Sequence, residues 1–198
     1  MLGILIILLP GQVFAKTTVL VLGDSLTAGY GLEKQQAFPQ LLNDKLHQMG
    51  YTDTHVINGG FSGSTTASAL QRLHWYMRIH PDILILELGA NDGLRGLSIE
   101  SIRSNLAKTI EYAKSQNILT ILAGMKLPVN YGKAYTHQFE AIFTSLAKEY
   151  SLPLIPFLLK DVAGKPELNQ SDGIHPNPAG HKIVAETVLT YLLPYLKK

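Results

Sequence analysis

The chain is 198 residues long, 46% hydrophobic and 16% charged, which bounds it to one globular domain able to bury a sizeable core. Its formal net charge of +2 is too small to argue for nucleic acid, and its 17 lysines and arginines form no run longer than Lys197-Lys198. There is no cysteine, which excludes disulfides, a thiolate nucleophile and cysteine-ligated zinc.

Residues 1–15 read as a signal peptide. Leu2 to Leu9 form an apolar core, broken by Pro10-Gly11, and Val13 and Ala15 stand at the cleavage positions before Lys16. The stretch is short for a membrane span, and no lysine or arginine precedes it. The expectation is a periplasmic or secreted domain over residues 16–198, with no membrane anchor once the leader is removed.

The first strong element is Thr18-Val19-Leu20-Val21-Leu22, a β-branched and apolar run that stops at Gly23 and passes directly into Asp24 and Ser25. Such a run reads as a buried strand of a parallel sheet. Ligands of open α/β sheets bind beyond the carboxyl ends of the strands, so Ser25 stands where a nucleophile has to be. The plain alternative is that Asp24 or Ser25 only caps the following helix.

Pro39 to Met49 predicts a helix with Leu41, Leu42 and Leu46 on one face, ended by Gly50. His55-Val56-Ile57 is a short strand, followed by the glycine-rich turn Asn58-Gly59-Gly60-Phe61-Ser62-Gly63. Thr65 to Ile79 reads as one helix, on which Trp75 and Tyr76 are expected in core or interface packing. Ile83 to Leu88 is the second strong strand, ending in Gly89-Ala90-Asn91-Asp92. Ser98 caps a helix with the stripe Ile99, Ile102, Leu106, Ile110 and Ala113, and Leu119 to Ala123 is again a strand.

Lys126 to Gly132 forms a loop before a helix whose Phe139, Ile142, Phe143, Leu146 and Tyr150 share a face. Leu154-Ile155 is a last short strand, and an irregular stretch runs to Pro178. The final helix is expected to bury Ile183, Val184, Thr187, Val188 and Tyr191. Five strands alternating with helices predict a single-domain α/β three-layer sandwich, a mainly parallel sheet covered on both faces.

A serine, a glycine-rich turn, an asparagine and an Asp-x-x-His pair thus fall on one rim of that sheet. This is the inventory of acyl transfer. A serine hydroxyl needs a base, and His175 is the candidate; Asp172, three residues earlier on a glycine-containing turn, can hold the far ring nitrogen. The backbone N–H groups of Ser25 and Gly63 and the amide of Asn91 are candidate oxyanion donors, although Gly59 and Gly60 share the turn with Gly63. Leu94, Leu97, Leu127, Tyr131 and Ile174 either present an apolar acyl-binding surface beside Ser25 or tuck back onto the core.

Other chemistries lack their residues. Neither Ser25 nor Ser62 has the glycine two positions later that an α/β-hydrolase elbow requires, and there is no dinucleotide or Walker fingerprint. His47, His55, His74, His80, His137 and His181 are scattered and read as surface or satisfied core histidines, so no metal and no cofactor is expected.

These blocks, in this order, resemble the GDSL (SGNH) hydrolases. Gly23-Asp24-Ser25-Leu26 matches the first block, Gly63 the second, Gly89-x-Asn91-Asp92 the third and Asp172-x-x-His175 the fifth. Ala28-Gly29-Tyr30, Gly93-Leu94-Arg95-Gly96 and Leu127-Pro128-x-Asn130-Tyr131-Gly132 place it nearest the bacterial periplasmic branch of thioesterases, lysophospholipases and arylesterases. The resemblance implies a flavodoxin-like fold and a metal-independent serine esterase and thioesterase. It also implies an accessible site for small-molecule esters or thioesters, lysophospholipid among them, in a monomer. An acetylesterase acting on carbohydrate or small esters is the alternative within the class, and a non-catalytic envelope binding module the one outside it.

Overall fold

Each of the apolar runs becomes a strand: β1 (Thr17–Gly23), β2 (Thr54–Gly60), β3 (Ile83–Glu87), β4 (Leu119–Ala123) and β5 (Leu154–Ile155). The computed structural model describes residues 16–197, and the expected signal peptide lies outside them. The strands pair in the order β2-β1-β3-β4-β5, every pair parallel. Val19 to Leu22 and Ile83 to Leu86 are buried throughout, as strands covered on both faces must be.

The helices are α1 (Ser25–Ala28), α2 (Phe38–Gln48), α3 (Ala69–Tyr76), α4 (Ala90–Leu94), α5 (Ile99–Ser115), α6 (Lys133–Tyr150) and α7 (Pro178–Leu192). In one group α2 packs on α7; in the other, α3 packs on α5 and α5 on α6. Right-handed crossovers explain the split. The chain steps one way from β1 to β2 and the other way through β3, β4 and β5, so its connections leave on opposite faces. The reversal falls between β1 and β3, which is where an open α/β sheet forms its ligand crevice. Register completes the arrangement, because Gly23 is level with Gly60 on one side and Glu87 on the other. The segments after β1, β2 and β3 therefore start from one line.

Three expectations need correction. β2 runs on through Asn58-Gly59-Gly60, which pair with Val21 to Gly23, because the lack of side chains lets the strand pass close beside α1. The helix expected over 65–79 is α3 flanked by 3₁₀ turns at Thr66–Ser68 and Met77–Ile79. Its buried positions are Ala69 and Leu73, so Trp75 falls on the far side, 53% exposed, with the Arg78 guanidinium 3.3 Å over its ring.

The third is α7, whose buried stripe is His181, Val184, Ala185, Val188, Leu189 and Leu192; Ile183, Thr187 and Tyr191 are only half-buried. The stripe turns because it includes a histidine. Ala37, at the start of α2, offers no side-chain cap, and His181 Nδ1 accepts the N–H of Phe38 at 3.1 Å instead. Burial pulls the imidazole down to about 4, which keeps it a neutral acceptor.

His181→Ala is expected to cost about 1–3 kcal/mol, the penalty of a buried N–H left without its acceptor. The sign with pH follows from linkage. As pH falls from 6.5 toward 4 the unfolded chain takes up this proton before the folded one does, so stability is lost over that window. Thermal midpoints between pH 7 and pH 4 should accordingly fall more steeply in the wild type than in His181→Gln. Parallel curves would show that His181 does not titrate between the two states.

Candidate active site

Ser25 is placed by its neighbours. β1 ends at Gly23, Asp24 turns the chain and caps α1 by accepting the Leu26 N–H at 3.0 Å, and Ser25 opens the helix. A Cβ on Gly23 would run into Thr27 Oγ1 and the Glu87 carboxylate, so only glycine allows this close approach beneath the turn.

The histidine arrives from the irregular segment between β5 and α7. Side-chain amides organise that segment. Asn169 donates to the carbonyls of Val162 and Lys165 at 2.8 Å each, and Gln170 donates to the carbonyl of Tyr30 at 2.7 Å, tying the segment to the turn that follows Ser25. The Gln170 N–H donates to the His175 carbonyl at 2.7 Å, and Gly173, at φ +74°, closes the turn. Neither amide side chain was singled out in the sequence, where an asparagine and a glutamine in a loop carry no signal of their partners.

On this turn Asp172 Oδ1 accepts the backbone N–H groups of Ile174 and His175 at 3.0 Å each, and Oδ2 lies 2.7 Å from His175 Nδ1. The backbone donor of His175 and the other hydrogen bonds hold the Asp172 carboxyl down to about 2. A charged acceptor at Nδ1 fixes the proton there and leaves Nε2 free to accept. Nε2 lies 2.9 Å from Ser25 Oγ. The Tyr30 ring packs on the imidazole with centroids 4.7 Å apart.

The three expected oxyanion donors border one cavity with Ser25 and His175. Among the described residues the N–H groups of Ser25 and Gly63 have no protein acceptor. Gly63 sits at φ +80°, a conformation that favours glycine. Its loop is held on two sides. The carboxylate of Asp92 accepts both the N–H and the hydroxyl of Thr66, and Arg95 donates to the Gly63 carbonyl at 3.1 Å. Asn91 differs, because its Nδ2 already donates to Asp24 Oδ2 at 3.1 Å and to the Ser64 carbonyl at 3.0 Å.

Beneath the turn lies a buried carboxyl group. Glu87 accepts the Asp24 N–H at 3.1 Å and the Thr27 hydroxyl at 2.7 Å, while its Oε1 has no partner. Burial and the neighbouring Asp24 charge push Glu87 well above the carboxylate range. Arg72 donates to the carbonyls of Gly23 and Gly59.

The cavity holds about 550 Å³. Of the residues expected to bind the acyl group, Leu94, Leu127 and Ile174 line it, whereas Leu97 and Tyr131 do not. Leu97 points outward, and the Tyr131 hydroxyl donates to the Leu94 carbonyl at 3.0 Å, bracing the wall from behind. Leu26, Met125, Phe157, Leu159 and Ala163 also line it. Met125 follows β4 by two residues and was within reach of the strand-end argument; the other late residues belong to the segment read as irregular. No cluster of metal-ligating side chains occurs among the described residues, and no helix among them is long and apolar enough to cross a membrane.

Residues 21–183 match the GDSL-like lipase/acylhydrolase family. The chain is 42% identical to an arylesterase of Vibrio mimicus over 183 residues, covering 92% of this chain and 91% of that one. It is 39% identical to thioesterase 1/protease 1/lysophospholipase L1 of Escherichia coli K12 over 190 residues, covering 96% and 89%. The crystal structure of TesA superposes with a TM-score of 0.87 at 37% identity, covering 91% of this chain and all of that one.

Proposed function

Because the chain belongs to the GDSL-like lipase/acylhydrolase family, we propose that it hydrolyses esters and thioesters through an acyl-enzyme formed on Ser25. The observation that carries this reading is the unbroken run Ser25 Oγ–His175 Nε2 at 2.9 Å and His175 Nδ1–Asp172 Oδ2 at 2.7 Å. His175 takes the hydroxyl proton as Oγ attacks the carbonyl carbon, and Asp172 holds the imidazolium in place. The N–H groups of Ser25 and Gly63 and the amide of Asn91 receive the oxyanion. Collapse of the adduct expels the alcohol or thiol, which takes its proton from His175. Water then repeats the sequence on the acyl-enzyme, with His175 again the base, and releases the acid.

A fluorophosphonate probe tests the reading directly. A single adduct on Ser25, found by mass spectrometry, is the expected result. No adduct would favour the non-catalytic binding module, and an adduct on another serine would move the nucleophile away from Ser25.

The acyl group occupies the cavity lined by Leu94, Met125, Leu127, Phe157 and Ile174. Each methylene buried there is worth up to about 0.8 kcal/mol, or roughly fourfold in kcat/KM. Rates should therefore climb from acetyl through hexanoyl esters, and Leu94→Asp should flatten the climb while leaving acetyl hydrolysis nearly unchanged. A preference for acetyl esters would make the protein a small-ester deacetylase on the same catalytic residues.

Lysophospholipid fits the same cavity as an apolar acyl ester. The protein acts as an exported enzyme, a reading supported by the apolar sequence of residues 1–15. N-terminal sequencing of the exported form should begin near Lys16.

A further inference from the structure

Asp24 is a costly way to cap a helix. α1 is four residues long, yet its cap is a carboxylate only 1% exposed, whereas Ser98 and Asn177 cap the far longer α5 and α7 from exposed or half-buried positions. Burying an ionised carboxylate is unfavourable unless its oxygens are used. The cap uses only Oδ1, on the Leu26 N–H; Oδ2 is spent on Asn91 Nδ2.

A carboxamide is nearly symmetric in shape, so its hydrogen-bond partners decide which end is nitrogen. Asn91 Nδ2 faces two acceptors, Asp24 Oδ2 and the Ser64 carbonyl. Turned over, the amide would set its own oxygen against both. The Ser64 carbonyl belongs to a loop that Asp92 and Arg95 hold, and Asp24 adjoins the nucleophile. The amide is thus referenced to both walls of the site at once.

We propose that Asp24 is a positioning residue for the reaction, its Oδ2 fixing the amide of Asn91 as an oxyanion donor, with Glu87 setting the height of Asp24 through its backbone N–H. This rests on reading Ser25, Asn91 and His175 as the reaction centre. The groups facing Asp24 are Glu87 from β3, Arg72 from α3, Asn91 from α4 and His175 from the loop before α7. Burial raises Asp24 to about 6, against the pull of its hydrogen bonds and of the His175 and Arg72 charges. Wherever Asp24 is ionised, its bond to Asn91 is charge-assisted.

The test separates capping from positioning. Asp24→Ser keeps a good N-cap oxygen but cannot serve Leu26 and Asn91 together. On p-nitrophenyl butyrate its kcat should fall by about 10–100-fold, with KM within about twofold and the thermal midpoint little changed. In an Asn91→Ala background the same substitution should cost no more than about threefold further, because Asp24 acts through that amide. Full, additive losses in the double variant, or wild-type kcat in Asp24→Ser, would overturn the inference and leave the triad standing. An Asn91→Ala variant with unaltered kcat would overturn the donor assignment and this inference together. Should Asp24→Ser not fold, the isosteric Asp24→Asn, which sets one NH₂ against another, is judged by the same cycle.

Discussion

Ser25→Ala is expected to fold as the wild type does and to lose at least about 10⁴-fold in kcat toward p-nitrophenyl esters. The substitution removes one oxygen, half-buried and 2.9 Å from His175 Nε2, whose only side-chain bond among the described residues is to that ring. No backbone bond depends on it, because the carbonyl of Ser25 still accepts the N–H groups of Gly29 and Tyr30. The change in stability should stay within about 0.5 kcal/mol. What remains is a base, its aspartate and the oxyanion donors, which can only direct water at the bound ester. His175→Ala added to Ser25→Ala should therefore cost little more, since the two act as one unit. Steady-state turnover and a thermal melt on the same sample decide the matter. A variant that keeps more than a hundredth of wild-type kcat would place the nucleophile elsewhere.

Most of the frame was readable because the sheet is parallel and covered on both faces. Such strands are continuous apolar runs, and Val19 to Leu22 and Ile83 to Leu86 announce themselves without any alternation. The positions of the expected site residues were readable for a related reason: Ser25 and Asn91 follow shortly after those runs, and Asp172 and His175 share one short turn. What the sequence did not disclose depends on partners distant in the chain. Gly59 and Gly60 read as a turn, but the level register with Leu22 and Gly23 makes them strand. His181 breaks an apolar count on α7, yet the N–H of Phe38, 143 residues earlier, makes it a buried position. Gln170 looks like loop until the Tyr30 carbonyl is seen beside it. Asp24 reads as a cap, and its second oxygen has meaning only once β1 and β3 lie side by side.

Asn91→Ala is expected to lower kcat by about 10²–10³, which is 2.7–4 kcal/mol of transition-state stabilisation, with KM little changed. The ground-state geometry bears on where in that range it falls. Both amide protons already have acceptors, Asp24 Oδ2 and the Ser64 carbonyl. The developing oxyanion therefore gains a donor by sharing one of these protons, so its benefit is the difference between two acceptors and not a whole new bond. Ser25 and Gly63 bring N–H groups with no acceptor among the described residues to give up, and theirs is expected to be the larger share. A loss nearer 10² than 10³ follows from that comparison. The deletion also leaves the buried Asp24 carboxylate with one donor fewer, so the thermal midpoint should fall as well, by an amount worth about 1–3 kcal/mol. The two effects separate on a single variant, because melting reports the orphaned carboxylate and kcat the lost donor. A rise in KM at constant kcat would make Asn91 a residue that places the substrate and does not stabilise the oxyanion.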